Sequence, residues 1–159
     1  MLSLEHLQST DPPWVELVVL KGGQTGDHLP RQIRGYVVVT FEGKNCATRS
    51  EILAEFGKML SFPSYYGRNW DALNECITDM EWMPASGYLI YLTDAHLVLL
   101  NDDHNYEIFV SVMKSAGEEW SIPQAGEWPR PAIPFHVLLL VDEKDKSKRK
   151  NWNLLEVTL

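Results

Sequence analysis

The sequence predicts an α/β fold, and three observations carry that expectation. Residues 36–41, 88–92 and 135–141 are apolar runs of strand length, as buried parallel strands require. The segments between them repeat apolar residues at steps of three and four, the period of an amphipathic helix. Strands separated by helices favour parallel pairing through right-handed crossovers.

Residues 1–13 show no strong period and end in Asp11, Pro12 and Pro13, which reads as a lead-in. Residues 14–20 (WVELVVL) are rich in β-formers and are expected as an extra strand. Residues 21–27 hold three glycines and read as a turn. No Gly-Lys-Ser/Thr and no helix pattern follow, so a phosphate loop has little support. The run at 36–41 suits a central strand covered on both sides. Thr48 and Glu51 fit a capping box, and Ile52, Leu53, Phe56, Met59 and Leu60 then mark a helix with one buried stripe. Residues 62–82 read as a loop and a short helix, ended by Pro84 and Gly87.

After the strand at 88–92, Thr93 and Asp94 can cap a short helix over 95–100. Asn101, Asp102 and Asp103 cap a longer helix with Tyr106, Phe109, Val110, Met113 and Ala116 inward, and Gly117 weakens its end. Residues 121–134 carry four prolines and form a stiff, irregular loop. Residues 144–150 read as a solvated turn, and 152–159 as a strand returning antiparallel at the sheet edge.

With 159 residues, of which 45% are hydrophobic, one domain over 1–159 is the natural expectation. A net charge of −8 argues against a protein that lives on nucleic acid or anionic lipid. Residues 1–141 hold nine basic against eighteen acidic side chains, whereas five bases crowd into 144–150. An acidic body invites a basic partner, although solubility alone produces the same excess. Two cysteines, Cys46 and Cys76, are too few for a thiolate zinc site or a disulfide framework. No leader and no apolar stretch of membrane length is evident. These features favour a cytoplasmic protein.

The stretch FPSYYGRNWDALNECITDMEW, residues 62–82, organises the rest. Leu73, Cys76, Ile77 and Met80 form its apolar face, and Asp71, Asn74, Glu75, Thr78 and Asp79 form the opposite, mostly acidic one. Asp71 and Glu75 are helix neighbours, so general acid–base work or divalent-cation binding is conceivable. No histidine lies in this helix, and no His-x-x-x-His or Glu-x-x-His spacing occurs. His96 and His104 each follow a helix-cap pattern and read as solvated. No nucleophile is flanked by an activating base. Neither a catalytic residue nor a metal or other cofactor is therefore expected. A recognition face is the alternative: fixed carboxylates flanked by Tyr65, Tyr66, Trp70 and Trp82 resemble a binding hot spot. Such carboxylates can also imitate phosphate oxygens toward Arg.

Residues Tyr65-Tyr66-Gly67-Arg68-Asn69-Trp70-Asp71-Ala72-Leu73, followed by Glu75-Cys76-Ile77-Thr78, resemble the signature of the barstar family, the intracellular inhibitors of barnase-type ribonucleases. The resemblance extends more loosely over the core, residues 35–141. It implies a three-stranded parallel sheet packed by helices. Residues 1–34 and 142–159 are then additions, expected to supply extra edge strands. It further implies that the helix and its preceding loop plug a ribonuclease active site. Tyr65 and Gly67 match contact positions in the loop, and Asp71 one contact carboxylate of the helix. Glu75 matches the central carboxylate that occupies the phosphate site, and Thr78 a further contact. Three positions depart from the family's best-known member: Asn74 replaces Trp, Arg68 replaces Glu, and Glu75 replaces Asp. In the last helix, Glu118 or Glu119 is a candidate for another acidic contact.

The expected function is a cofactor-free ribonuclease inhibitor, the immunity protein or antitoxin of a bacterial nuclease toxin. Its partner-binding residues would be Tyr65, Gly67, Arg68, Asp71, Asn74, Glu75 and Thr78, and its partner a basic nuclease, not nucleic acid or membrane. Two other readings stand beside it. One is a barstar-like adaptor for a non-nuclease partner, favoured by Asn74 and the added termini. The other is a carboxylate enzyme using Asp71 and Glu75.

Overall fold

The computed structural model describes residues 2–159, so the first residue of the expected lead-in lies outside the described residues. Helix α1 (Leu4–Leu7) precedes strand β1 (Val15–Leu20) and strand β2 (Tyr36–Glu42). Helices α2 (Arg49–Met59) and α3 (Trp70–Asp79) follow, then β3 (Gly87–Thr93), α4 (Asp103–Trp120), β4 (Phe135–Asp142) and β5 (Leu155–Val157). The strands form one five-stranded sheet in the order β2-β3-β4-β1-β5, parallel at every pairing. The α/β class is therefore as expected, with a sheet larger than three strands.

Three expectations about the sheet are corrected. Strand β1 is not at an edge but lies between β4 and β5, where its run of apolar residues is buried. Strand β2, expected at the centre, is the outer strand on the opposite side. Its alternate side chains still meet two apolar layers: Val37, Val39 and Phe41 face the helices, and Tyr36 and Val38 face the other cover. Strand β5 pairs parallel to β1, in the register Glu16 with Leu155, and does not return antiparallel. A parallel return needs about a dozen crossover residues, and residues 143–154 supply them between β4 and β5.

Helices α2, α3 and α4 lie on one face of the sheet. There Val15, Leu17, Val19, Ile90, Leu92, Val137 and Leu139 pack against Ile52, Phe56, Leu73, Ile77, Phe109 and Met113. The reverse face buries Val18, Leu89, Leu138 and Leu140 under Leu7 and Leu29, with Leu2, Ile33 and Leu159 at its margin. Both terminal additions thus contribute to covering the sheet's second side. Tyr36 and Tyr91 fasten this cover by donating hydroxyl bonds to the carbonyls of Leu7 and Pro30, at 3.2 and 2.7 Å. The expected short helix over 95–100 is a single 3₁₀ turn, Ala95–Leu97. Among the described residues, no helix is long and apolar enough to cross a membrane.

The expected solvated turn at 144–150 is instead a 3₁₀ segment, Glu143–Lys148, followed by a buried arginine. Arg149 lies 4.0 Å over the Tyr106 ring, donates to the carbonyls of Val98 and Leu99, and reaches Asp103 at 3.4 Å. A planar guanidinium can lie on aromatic faces and still spend its donors, which a run of alternating charges in sequence does not disclose. His96, expected in solvent, is also buried and sits 3.9 Å from Asp145.

Gly117 does not simply weaken the end of α4; it lets Trp14 approach. A Cβ there would lie 2.3 Å from the Trp14 Cβ and 2.4 Å from its Cγ. Gly117→Ala is expected to destabilise the chain by about 1–3 kcal/mol through overpacking. That outweighs the helix-propensity gain of about 1 kcal/mol. A lower urea midpoint at unchanged slope is the outcome to look for.

A rigid acidic helix as the candidate partner-binding face

Helix α3 begins at a side-chain cap. Asn69 is extended, and its Oδ1 accepts the Ala72 N–H at 2.8 Å, which satisfies one of the donors left free at a helix start. Leu73, Cys76 and Ile77 are buried, as is Met80 just beyond the last turn. Burial also pushes the Cys76 thiol above its ordinary value, so this cysteine is a packing residue. Asp71, Glu75 and Asp79 stand exposed on the opposite side, with Asn74 and Thr78 half-buried beside them. The expected division into an apolar and an acidic face is the one observed.

The far end of α3 is held from outside. Met80 adopts a left-handed conformation, with φ of 53°. The indole Nε1 of Trp120 donates to the Ile77 carbonyl at 2.9 Å, and Arg130 donates to the Thr78 carbonyl at 3.1 Å. Arg130 itself lies 3.7 Å over the Trp120 ring. These two side chains support the end of α3, a role that the sequence pattern does not reveal. The only hint was an arginine set between Pro129 and Pro131 in an otherwise irregular loop. The same loop closes through a backbone bridge between Gln124 and Arg130, and it exposes Trp128 at 84%.

The four aromatic residues flanking the helix separate into two roles. Tyr66 faces inward and donates to the Leu53 carbonyl at 2.9 Å, and Trp82 donates to the Leu60 carbonyl at 3.0 Å. Trp70 donates to Asn105 Oδ1 at 3.0 Å and packs near Phe109, so it ties α3 to α4. Only Tyr65 is outward, 70% exposed. Its phenol is pushed above the ordinary value by partial desolvation first, then by charged neighbours including Asp79, Glu81 and Glu75. Tyr65 therefore belongs to the same acidic patch. Gly67 and Arg68 are exposed in the loop between them, Arg68 with φ of 53°. The Thr78 hydroxyl is spent on the Asn74 carbonyl at 2.7 Å. Glu118 and Glu119 are exposed near the end of α4, next to Trp120.

Asp71, Glu75 and Asp79 take part in no ion pair among the described residues. Spaced four apart, they repel one another by a few tenths of a kcal/mol per pair. Asp79 also sits at the negative end of the helix dipole, where an acid is disfavoured. An exposed helix ridge of this kind does not enclose a substrate. It has the shape and charge to enter a basic cleft on another molecule.

The family model of barstar, the barnase inhibitor, matches residues 36–139. The chain belongs to the barstar family. The match spans β2 to β4, including α3 and the loop before it, and leaves β1 and β5 outside. The barstar-family core thus carries two further strands here. Among solved structures, the chain is similar to the ORC2 protein of Aeropyrum pernix in its ADPNP and ADP complexes, at 12% identity and a TM-score of 0.57. That likeness covers 98% of this chain and 43% of the other, so the chain spans less than half the length of that protein, and the likeness concerns the fold alone. Comparison with curated proteins gives no match.

The cap at the start of α3 is open to direct test. Asn69→Ala is expected to lower stability by about 1 kcal/mol, whereas Asn69→Ser retains most of it. Urea titration of the three proteins side by side checks the order.

Proposed function

We propose that this barstar-family chain inhibits a barnase-type ribonuclease by inserting the acidic ridge of α3, with the loop before it, into the nuclease active site. The observation that carries the reading is the row Asp71, Glu75 and Asp79, exposed and without ion-pair partners among the described residues, on a helix fixed at both ends. Glu75, at the middle of the row, would take the place of a substrate phosphate among the target's Arg, Lys or His side chains. Asp71 would pair beside it, and Tyr65 would supply an aromatic contact from the loop. Gly67 lets the loop approach closely, while Arg68, Asn74 and Thr78 line the edge of the contact and tune which nuclease fits. Such a protein serves as the immunity partner, or antitoxin, of a nuclease made in the same cell.

Physical chemistry favours specificity here as much as affinity. A carboxylate buried in an interface is favourable only when fully paired, so a nuclease lacking the matching cations is rejected. The net charge of −8 accelerates encounter with a basic partner, an effect that salt screens. Trp128, exposed on the loop that Arg130 fastens to the end of α3, is placed to add a second aromatic contact.

The decisive experiment is inhibition of RNA cleavage by a barnase-type nuclease encoded beside this chain, followed by binding measurements. Glu75→Ala is expected to weaken binding by at least about 2 kcal/mol, the scale of a central hot spot, with the unfolding midpoint unchanged. A loss below about 0.5 kcal/mol, the scale of an ordinary surface substitution, overturns the assignment of Glu75. Tight binding that leaves RNA cleavage untouched would instead favour an adaptor. Stopped-flow association should also slow markedly as salt rises, with the dissociation rate nearly constant.

A further inference from the structure

A second cluster of chemically able side chains lies on the reverse face of the sheet, toward the amino ends of β1 and β4. Glu16 is only 3% exposed, although it sits in the apolar strand β1. Side chains alternate along a strand, so Glu16 shares the reverse face with Val18, as His136 does with Leu138 and Leu140. The third member, His6, comes from α1. Its Nε2 lies 2.8 Å from Glu16 Oε1 and 3.1 Å from the Pro13 carbonyl, and its ring centroid is 4.7 Å from that of His136. One ligand atom from each of the three residues lies within 4.8 Å of the others.

An ordinary His–Glu pair explains His6 and Glu16 but not His136. That ring is fully buried, and its Nε2 is 2.7 Å from the Ser9 carbonyl. A carbonyl only accepts, so Nε2 carries the proton and Nδ1 holds the lone pair. Nδ1 is buried with no hydrogen-bond partner, an arrangement that costs free energy when left unmet. Histidines that bind metals characteristically donate their other N–H to a backbone carbonyl, which fixes the tautomer. His136 is already in that state.

We propose that His6, Glu16 and His136 form a zinc-binding site that ties α1 to the back of the sheet. Two imidazoles and one carboxylate are a ligand set suited to Zn²⁺, with a fourth position left for water or the Pro13 carbonyl. The nitrogen donors disfavour Mg²⁺ and Ca²⁺, which prefer all-oxygen shells. Binding displaces the proton shared between His6 and Glu16 and gives the buried carboxylate a fixed counter-charge. His6 is the entry point, since its side chain is 22% exposed whereas that of Glu16 is 4%. The ligands come from three separated segments, so no spacing motif announces them.

The test is calorimetric titration of the full chain, stripped of metal by chelator, with Zn²⁺ alone and separately with Mg²⁺, alongside thermal unfolding. One Zn²⁺ should bind per chain and raise the Tm, and Mg²⁺ should do neither. His6→Ala alters a partly exposed position and should leave the circular dichroism spectrum unchanged. It should lower zinc affinity by at least about ten-fold, the scale of a lost ligand-shell interaction, and abolish the Tm rise. His136→Gln should do the same, while His104→Ala, at an exposed histidine, should leave both readouts intact. Absence of one-to-one zinc binding, or equal binding by His6→Ala and the unaltered chain, would overturn the site.

Discussion

Leu73, Cys76 and Ile77, with Met80 after them, press α3 against the core, and every outward feature of the helix depends on that contact. A ten-residue helix is marginal alone in water. Its solvated side adds repulsion, a few tenths of a kcal/mol for each pair of acids one turn apart. Burying one Leu or Ile side chain contributes about 1.5–3 kcal/mol. Two such residues already exceed the repulsion several-fold, so the helix holds a charge pattern that local electrostatics disfavour. The hydrogen bonds at its ends then remove the remaining freedom. Asn69 sets the start, Trp70 ties the first turn to Asn105, and Trp120 with Arg130 secures the last carbonyls. A helix backbone held this way loses little further entropy on meeting a partner, leaving mainly the rotamers of the exposed carboxylates to be ordered, which is what preorganisation contributes to affinity.

Much of this architecture was legible because local signals and global packing agree. The Thr48–Glu51 cap, the stripe Ile52, Leu53, Phe56, and the inward set Tyr106, Phe109, Val110, Met113 each sit where their period places them. What was not legible is non-local. Strand order depends on which apolar run finds which neighbour, and β1 and β2 are nearly alike in composition, so nothing in either marks one as interior and the other as edge. The direction of β5 depends on whether residues 143–154 turn back at once or travel the length of the sheet. Within that crossover Arg149 lies over the Tyr106 ring and Trp152 meets the same ring edge-on, contacts between distant residues that no local pattern announces.

The acidic face shows the same division. Asp71, Glu75 and the inward Leu73 and Ile77 follow from helical spacing alone. Which aromatic residue faces outward does not: Tyr65 and Tyr66 are adjacent and chemically identical, and it is Tyr66 whose hydroxyl reaches the carbonyl of Leu53, thirteen residues earlier, and whose ring packs on Phe62. Trp70 reads equally well as a contact or a packing residue until Asn105 supplies its acceptor, thirty-five residues later.

The added strands bear on function through what they leave free. Residues that cover the reverse face, Leu2, Leu7, Leu29 and Ile33, lie across the sheet from α3, and β5 extends the sheet at the edge beyond β1. On the helix side the additions reach α4, through Trp14 at Gly117 and Trp152 at Tyr106, while Asp71, Glu75 and Asp79 of α3 stay exposed. In the proposed complex, selection among nucleases would rest on that ridge. Glu75 places its charge one methylene further out than an aspartate would, and Asn74 offers an amide in place of an aromatic ring. In the proposed complex such a change would alter which active site can pair the charge completely, because a carboxylate buried without full pairing is costly.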